Sequence, residues 1–96
     1  MVGAAVRLRV WGELDMATCP LLQAALAEQW SDGRAVELDL SEVEFMDVAG
    51  LRVLLDAQEE ASRRSRTYAV LPTIPTAVGR VLEATGTGTA LRLLGD

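Results

Sequence analysis

The chain of 96 residues has no histidine, one cysteine at position 19, and only two tryptophans, one tyrosine and one phenylalanine. Without an imidazole base there is no ordinary Ser or Cys triad, and one thiol without histidine does not make an ordinary zinc site. Hydrolases of those kinds are excluded, no metal or other cofactor is expected, and Cys19 has no partner for an internal disulfide. Positive charge is scarce as well: nine basic residues face fourteen acidic ones, for a formal net charge of −5. Binding to nucleic acid calls for a basic face. The only basic run, Arg63, Arg64 and Arg66, reads more simply as a helix terminus. No apolar run approaches a membrane span and no signal-like segment opens the chain, so the expected location is cytoplasmic. Repeats, linkers and a glycine-rich phosphate loop are missing too.

Half of the residues are apolar, enough for one small core and one domain over residues 1–96. Val6, Leu8 and Val10 alternate with Arg7 and Arg9 as a first strand, which is expected to end at Trp11 and Gly12. A short acidic loop leads to a helix with Thr18 as N-cap, Pro20 in its first turn, a stripe of Leu22, Ala25, Leu26 and Trp30, and a stop at Asp32 and Gly33. Val36, Leu38 and Leu40 form a second alternating strand, with Ser41 in the turn after it. A helix follows over 48–63, then a strand over 67–71 broken by Pro72 and Pro75. Ile74, Val78, Val81 and Leu82 mark a last helix with Gly86 as C-cap, and residues 90–94 suggest a fourth strand. The pattern predicts an α/β domain whose mixed sheet of about four strands carries crossover helices, with a core of leucine, valine and alanine.

The sharpest feature is Phe45, Met46, Asp47, Val48, Ala49, Gly50 and Leu51. Asp47 suits a helix N-cap that accepts from the N–H of Ala49 or Gly50, while Leu51, Leu54, Leu55 and Ala61 share one helical face. Val48, the first helical residue, has no hydroxyl, so a position suited to hold a phosphate against the helix dipole cannot carry one. Farther along, Glu59 with Arg63 and Glu60 with Arg64 stand at the spacing of surface ion pairs.

Gly12, Glu13, Leu14 and Asp15, then the 45–51 segment, then Val81, Leu82, Glu83, Ala84, Thr85 and Gly86, occur in an order that resembles the STAS domain family, and within it the bacterial anti-sigma factor antagonists. The resemblance covers nearly the whole chain. It implies a non-enzymatic regulatory module that docks on an anti-sigma factor, often a serine kinase, through the turn after its central strand. In that family the phosphoacceptor is the serine or threonine directly after the aspartate, which falls here on Val48. Two accounts fit the valine: it packs under a neighbouring loop in a domain that has lost phosphoregulation, or it makes a permanently unphosphorylated antagonist. The resemblance assigns the partner face to Asp15, Thr18, Asp47, Val48, Ala49, Gly50 and Leu51, with Gly50 letting another backbone approach. The hydroxyls of Ser41 and Thr18 are better explained by a turn and a cap than by modification.

A different branch of the family resembles the chain less closely in these segments but needs no phosphoserine: a cytoplasmic subunit on a phospholipid-transporting ABC ATPase. The remaining alternative is a magnesium-dependent or acid/base enzyme built on Glu13, Asp15, Asp39 and Asp47. Neither a phosphate loop nor a nucleophile with a matched base accompanies those carboxylates. The family also implies a strand before Val6 and a helix after the last strand. Either translation begins further upstream, or the sheet exposes an edge that invites a homodimer.

Overall fold

The computed structural model describes residues 5–94; expectations that fall on residues 1–4 and 95–96 lie outside the described residues. The elements run β1 (Val6–Leu14), α1 (Cys19–Asp32), β2 (Val36–Met46), α2 (Val48–Arg63), β3 (Tyr68–Val70) and α3 (Thr76–Thr85). The three strands form one sheet in the order β1-β2-β3, with both pairings parallel. Helices between successive parallel strands are what such a connection requires, and the alternation of strand and helix in the sequence reads correctly.

The sheet corrects the expectation of a mixed, four-stranded arrangement. Residues 90–94 make only an isolated parallel bridge, Leu93 beside Val70. The Gln58 side chain on α2 donates to the carbonyl of Ala90 at 2.8 Å and accepts from the N–H of Arg92 at 2.6 Å. Those backbone groups are therefore held by a side chain instead of a strand ladder. The first strand also runs further than its glycine suggests. Gly12 adopts φ 78°, which a residue without Cβ tolerates, and β1 continues to Leu14.

The register explains why β2 is longer than β1. Arg9 pairs with Asp39 but Trp11 with Glu42, and Gly12 pairs with Val43 but Glu13 with Phe45. Each shift inserts one residue into β2, the signature of a β-bulge. Ser41 lies in the first of these inside the strand, not in a turn after it. Hydrogen bonds from Ser41, among them N–H to Asp39 Oδ1 at 2.9 Å, hold the Asp39 carboxyl below its ordinary range.

One face of the sheet carries the core. Val36, Leu38 and Leu40 from β2, Leu22, Leu26 and Trp30 from α1, and Leu51, Leu54, Ala57 and Ala61 from α2 are buried in a single cluster, joined by Val78 and Leu82 of α3. Trp30 meets Tyr68 edge to face, with ring centroids 6.1 Å apart. The Tyr68 hydroxyl donates to the carbonyl of Leu54 at 3.3 Å, so the buried phenol keeps a partner. Trp11 and Phe45, by contrast, are exposed. Outward, Arg7 pairs with Glu37 at 3.1 Å and Arg9 with Asp39 at 4.0 Å, each contributing at most about 1 kcal/mol. On α2, Glu60 takes both Arg63 and Arg64, so the expected Glu59–Arg63 pair is replaced by an i,i+3 contact.

Candidate functional site

Parallel pairing brings the C-terminal ends of β1 and β2 side by side, and from each the chain turns into a helix. At the β2 exit a single residue, Asp47, makes the turn with extended dihedrals (φ −109°, ψ −174°), and its Oδ1 accepts from the N–H of Gly50 at 2.9 Å. Of the two donors expected from the sequence, Gly50 is the one used. The carbonyl of Asp47 takes the N–H of Leu51 at 3.1 Å, closing the first turn of α2. The N–H of Asp47 in turn donates to the carbonyl of Leu14 at 3.3 Å, tying the two exits together.

Gly50 is buried at this crossing. A Cβ built there would stand 2.5 Å from the Leu14 carbonyl oxygen and 2.8 Å from Met46 Cγ. The backbone that approaches Gly50 is thus the chain's own, at Leu14. Gly50 and Leu51, both buried, shape the site from within. Val48 lies outside: it is 63% exposed, so it does not pack under a neighbouring loop. Ala49 is half-buried.

At the β1 exit, side chains do the holding. Asp15 Oδ1 accepts from the N–H groups of Ala17 and Thr18, each at 3.0 Å. Thr18 Oγ1 donates to the Glu13 carbonyl at 2.8 Å and accepts from the Asp15 N–H at 3.0 Å. Thr18 occupies the N-cap position but makes no side-chain capping bond to α1, because its hydroxyl is turned back into the loop. Asp15, not Thr18, takes that organising role. Cys19, the first residue of α1, is buried next to this loop; burial, then the Asp47 charge, then the Asp15 charge push its thiol pKa up. It is a poor nucleophile.

Two further exposed apolar side chains, not expected as site residues, belong to these exits: Met16 in the β1 exit loop, 78% exposed, and Phe45 near the end of β2, the register partner of Glu13. Phe45 was visible as part of the motif, whereas nothing in the sequence separates Met16 from a core methionine. Asp39 lies in mid-strand with Ser41 and Arg9, away from the exits. Among the described residues no group of three or more carboxylates or thiols is placed to hold a metal ion, and no helix is long and apolar enough to cross a membrane.

Comparison with known proteins gives a consistent answer. The family model described as "Mlab, STAS domain" matches residues 1–95. The chain is similar to the anti-sigma-B factor antagonist of Staphylococcus aureus (strain NCTC 8325 / PS 47), 30% identical over 80 residues that cover 82% of this chain and 73% of that protein. Among solved structures it is similar to an anti-sigma factor antagonist from Mycobacterium paratuberculosis, with TM-score 0.76 and 29% identity over 94% of this chain and 76% of that one. The unphosphorylated form of the anti-sigma factor antagonist SpoIIAA superposes with TM-score 0.71 at 23% identity, covering 93% and 79% of the two chains, a likeness of fold. With a family model spanning almost its full length and a relative matched over most of its length, the chain belongs to the STAS domain family, as a non-enzymatic regulatory module resembling the anti-sigma factor antagonists.

Proposed function

We propose that this protein is an antagonist that docks on an anti-sigma factor of the serine-kinase type through the two strand exits, and does so without phosphate control. The observation that carries this reading is the exposed Val48 at the first position of α2. A phosphate at that place would add about −1.5 to −2 charge and three strong acceptors beside Asp47. The valine instead presents an exposed aliphatic side chain at the exits that also carry the exposed Met16 and Phe45, and an apolar partner patch is favoured by burying it. In this arrangement Val48 and Ala49 meet the partner directly, Asp15, Thr18 and Asp47 fix the two exits, and Gly50 and Leu51 set the angle at which α2 leaves the sheet. The same valine suits a phosphorylation-independent subunit of a phospholipid-transporting ABC system, the second reading.

The test uses a cognate anti-sigma factor of the serine-kinase type. Titration calorimetry is expected to give the same affinity before and after incubation with kinase and ATP, with no phosphate incorporated at residue 48. Val48→Ser is expected to become a substrate and to lose affinity once labelled; Val48→Glu is expected to bind at least about tenfold more weakly. Stoichiometric phosphorylation of the unaltered protein, or unchanged binding by Val48→Glu, defeats the proposal. Binding to the ABC ATPase alone selects the second reading.

A further inference from the structure

We infer that β1 is a self-association edge: two copies of the chain pair their β1 strands antiparallel about a twofold axis at Val10, joining their sheets. Among the described residues β1 has a strand on one side only. The N–H of Val6 bonds to the Ala35 carbonyl at 2.8 Å, and the carbonyl of Leu14 accepts from Asp47. Even-numbered residues at both ends of the strand thus turn their backbone groups toward β2. Along a strand those groups alternate in direction, so Arg7, Arg9, Trp11 and Glu13 direct theirs to the open side.

Natural edges are blunted by proline, by bulges or by charge. Neither of the first two protects β1: it contains no proline, and both inserted residues of the ladder belong to β2. Its charges are segregated, with Arg7 and Arg9 at the start and Glu13 at the end. A parallel copy would set like charge against like. With Val10 on the axis of an antiparallel pair, Arg7 of each copy faces Glu13 of the other, and Arg9 faces the exposed ring of Trp11, an ion pair and a cation–π contact each made twice. Arg7 already reaches Glu37, and its guanidinium has donors enough for both carboxylates. Moving the axis to Arg9 sets that arginine against itself; moving it to Trp11 still sets Arg9 opposite Glu13 but leaves the first two residues of β1 without a strand partner and gives up the arginine–tryptophan contact. The length of the ladder together with charge therefore favours the Val10 register.

Apolar surface agrees with it. Leu8, Val10, Leu21 and Leu22 line a cleft of about 330 Å³ between β1 and α1, with Leu21 73% exposed at its rim. Leu8 and Val10 of the second copy emerge on the same face and cover that cleft.

Sedimentation velocity over a wide concentration range is the direct test, with a monomer–dimer equilibrium expected. Glu13→Arg and Arg7→Glu are each expected to raise the dimer dissociation constant about tenfold or more, and the double exchange to restore it. Glu13→Arg leaves the Arg7–Glu37 pair intact, and circular dichroism confirms that each variant is folded. For the register, Val10→Cys is expected to form a disulfide-linked dimer under diamide, whereas Leu8→Cys, opposite Gly12, is not; the buried Cys19 does not compete. A monomer at every concentration overturns the inference and leaves the edge to a strand of another protein. Failure of the double exchange to restore association, or equal cross-linking of the two cysteine variants, overturns the register.

Discussion

The two strand exits stand side by side and each begins with an aspartate, yet they are held by different means. From β1 to α1 the chain crosses a loop in which Asp15 and Thr18 exchange hydrogen bonds with the backbone of residues 13–18. From β2 to α2 it turns on one residue, with one capping bond from Asp47 and a close backbone crossing at Gly50. The first exit is a side-chain network that can lose a member and sag. The second is a steric fit between Gly50 and Leu14, where nothing can be added. With its geometry fixed from beneath, the second exit leaves its outward position, Val48, exposed, as the docking proposed above requires.

The contrast is broken or upheld most sharply at Gly50. Gly50→Ala places a methyl 2.5 Å from a backbone oxygen that is itself bonded to Asp47, and overpacking of that kind costs about 3 kcal/mol. In a domain of this size such a loss lowers the melting temperature by about 10 °C or more. Urea unfolding of the variant checks it; a cost under about 0.5 kcal/mol would mean that α2 slides away freely and that the second exit is no stiffer than the first.

Removing the aspartates should produce smaller effects, in a defined order. Asp15→Ala deletes the acceptor for two backbone N–H groups and is expected to cost about 1.5 kcal/mol, against about 1 kcal/mol for Asp47→Ala, which deletes one cap. If unfolding shows Asp47→Ala to be the more damaging, the β2 exit depends on its cap rather than on its backbone fit, and the comparison reverses.

Part of this was legible in the sequence. Asp47 followed at three residues by Gly50 marks a helix start, and the structure uses that N–H; Gly33 and Gly86 end their helices in the left-handed conformation, as their positions suggest. The rest depended on partners far along the chain. Gly12 looks like a strand end because local propensity cannot see the β2 ladder that carries β1 past it. Residues 90–94 have strand-like alternation, but beyond one bridge to Val70 their ladder stops where Gln58, more than thirty positions away, takes the Ala90 carbonyl and the Arg92 N–H. Thr18 has the chemistry of an N-cap, and only the fold shows that Glu13 and Asp15 claim its hydroxyl first. The close approach at Gly50 is equally silent in one dimension, since Leu14 lies on another strand.

Cys19 reads both exits at once, and supplies the subtlest comparison. Its thiol pKa is raised chiefly by burial, next by the charge of Asp47 and least by that of Asp15. Alkylation by iodoacetamide followed against pH is therefore expected to be much slower in the folded protein than in urea, since only the thiolate reacts. Neutralising a carboxylate removes one like charge that opposes thiolate formation, so the pKa should fall in Asp47→Asn and fall less in Asp15→Asn. Asparagine keeps an oxygen able to accept the N–H of Gly50, so the first change removes charge without removing the cap. A shift in Asp15→Asn with none in Asp47→Asn would show that the thiol belongs to the β1 exit alone and that the two exits are not electrostatically joined; a larger shift for Asp15→Asn would reverse the order. The ordered pair of shifts follows the order in which the two charges act on the thiol, and the bond from the Asp47 N–H to the Leu14 carbonyl holds the second exit against the first.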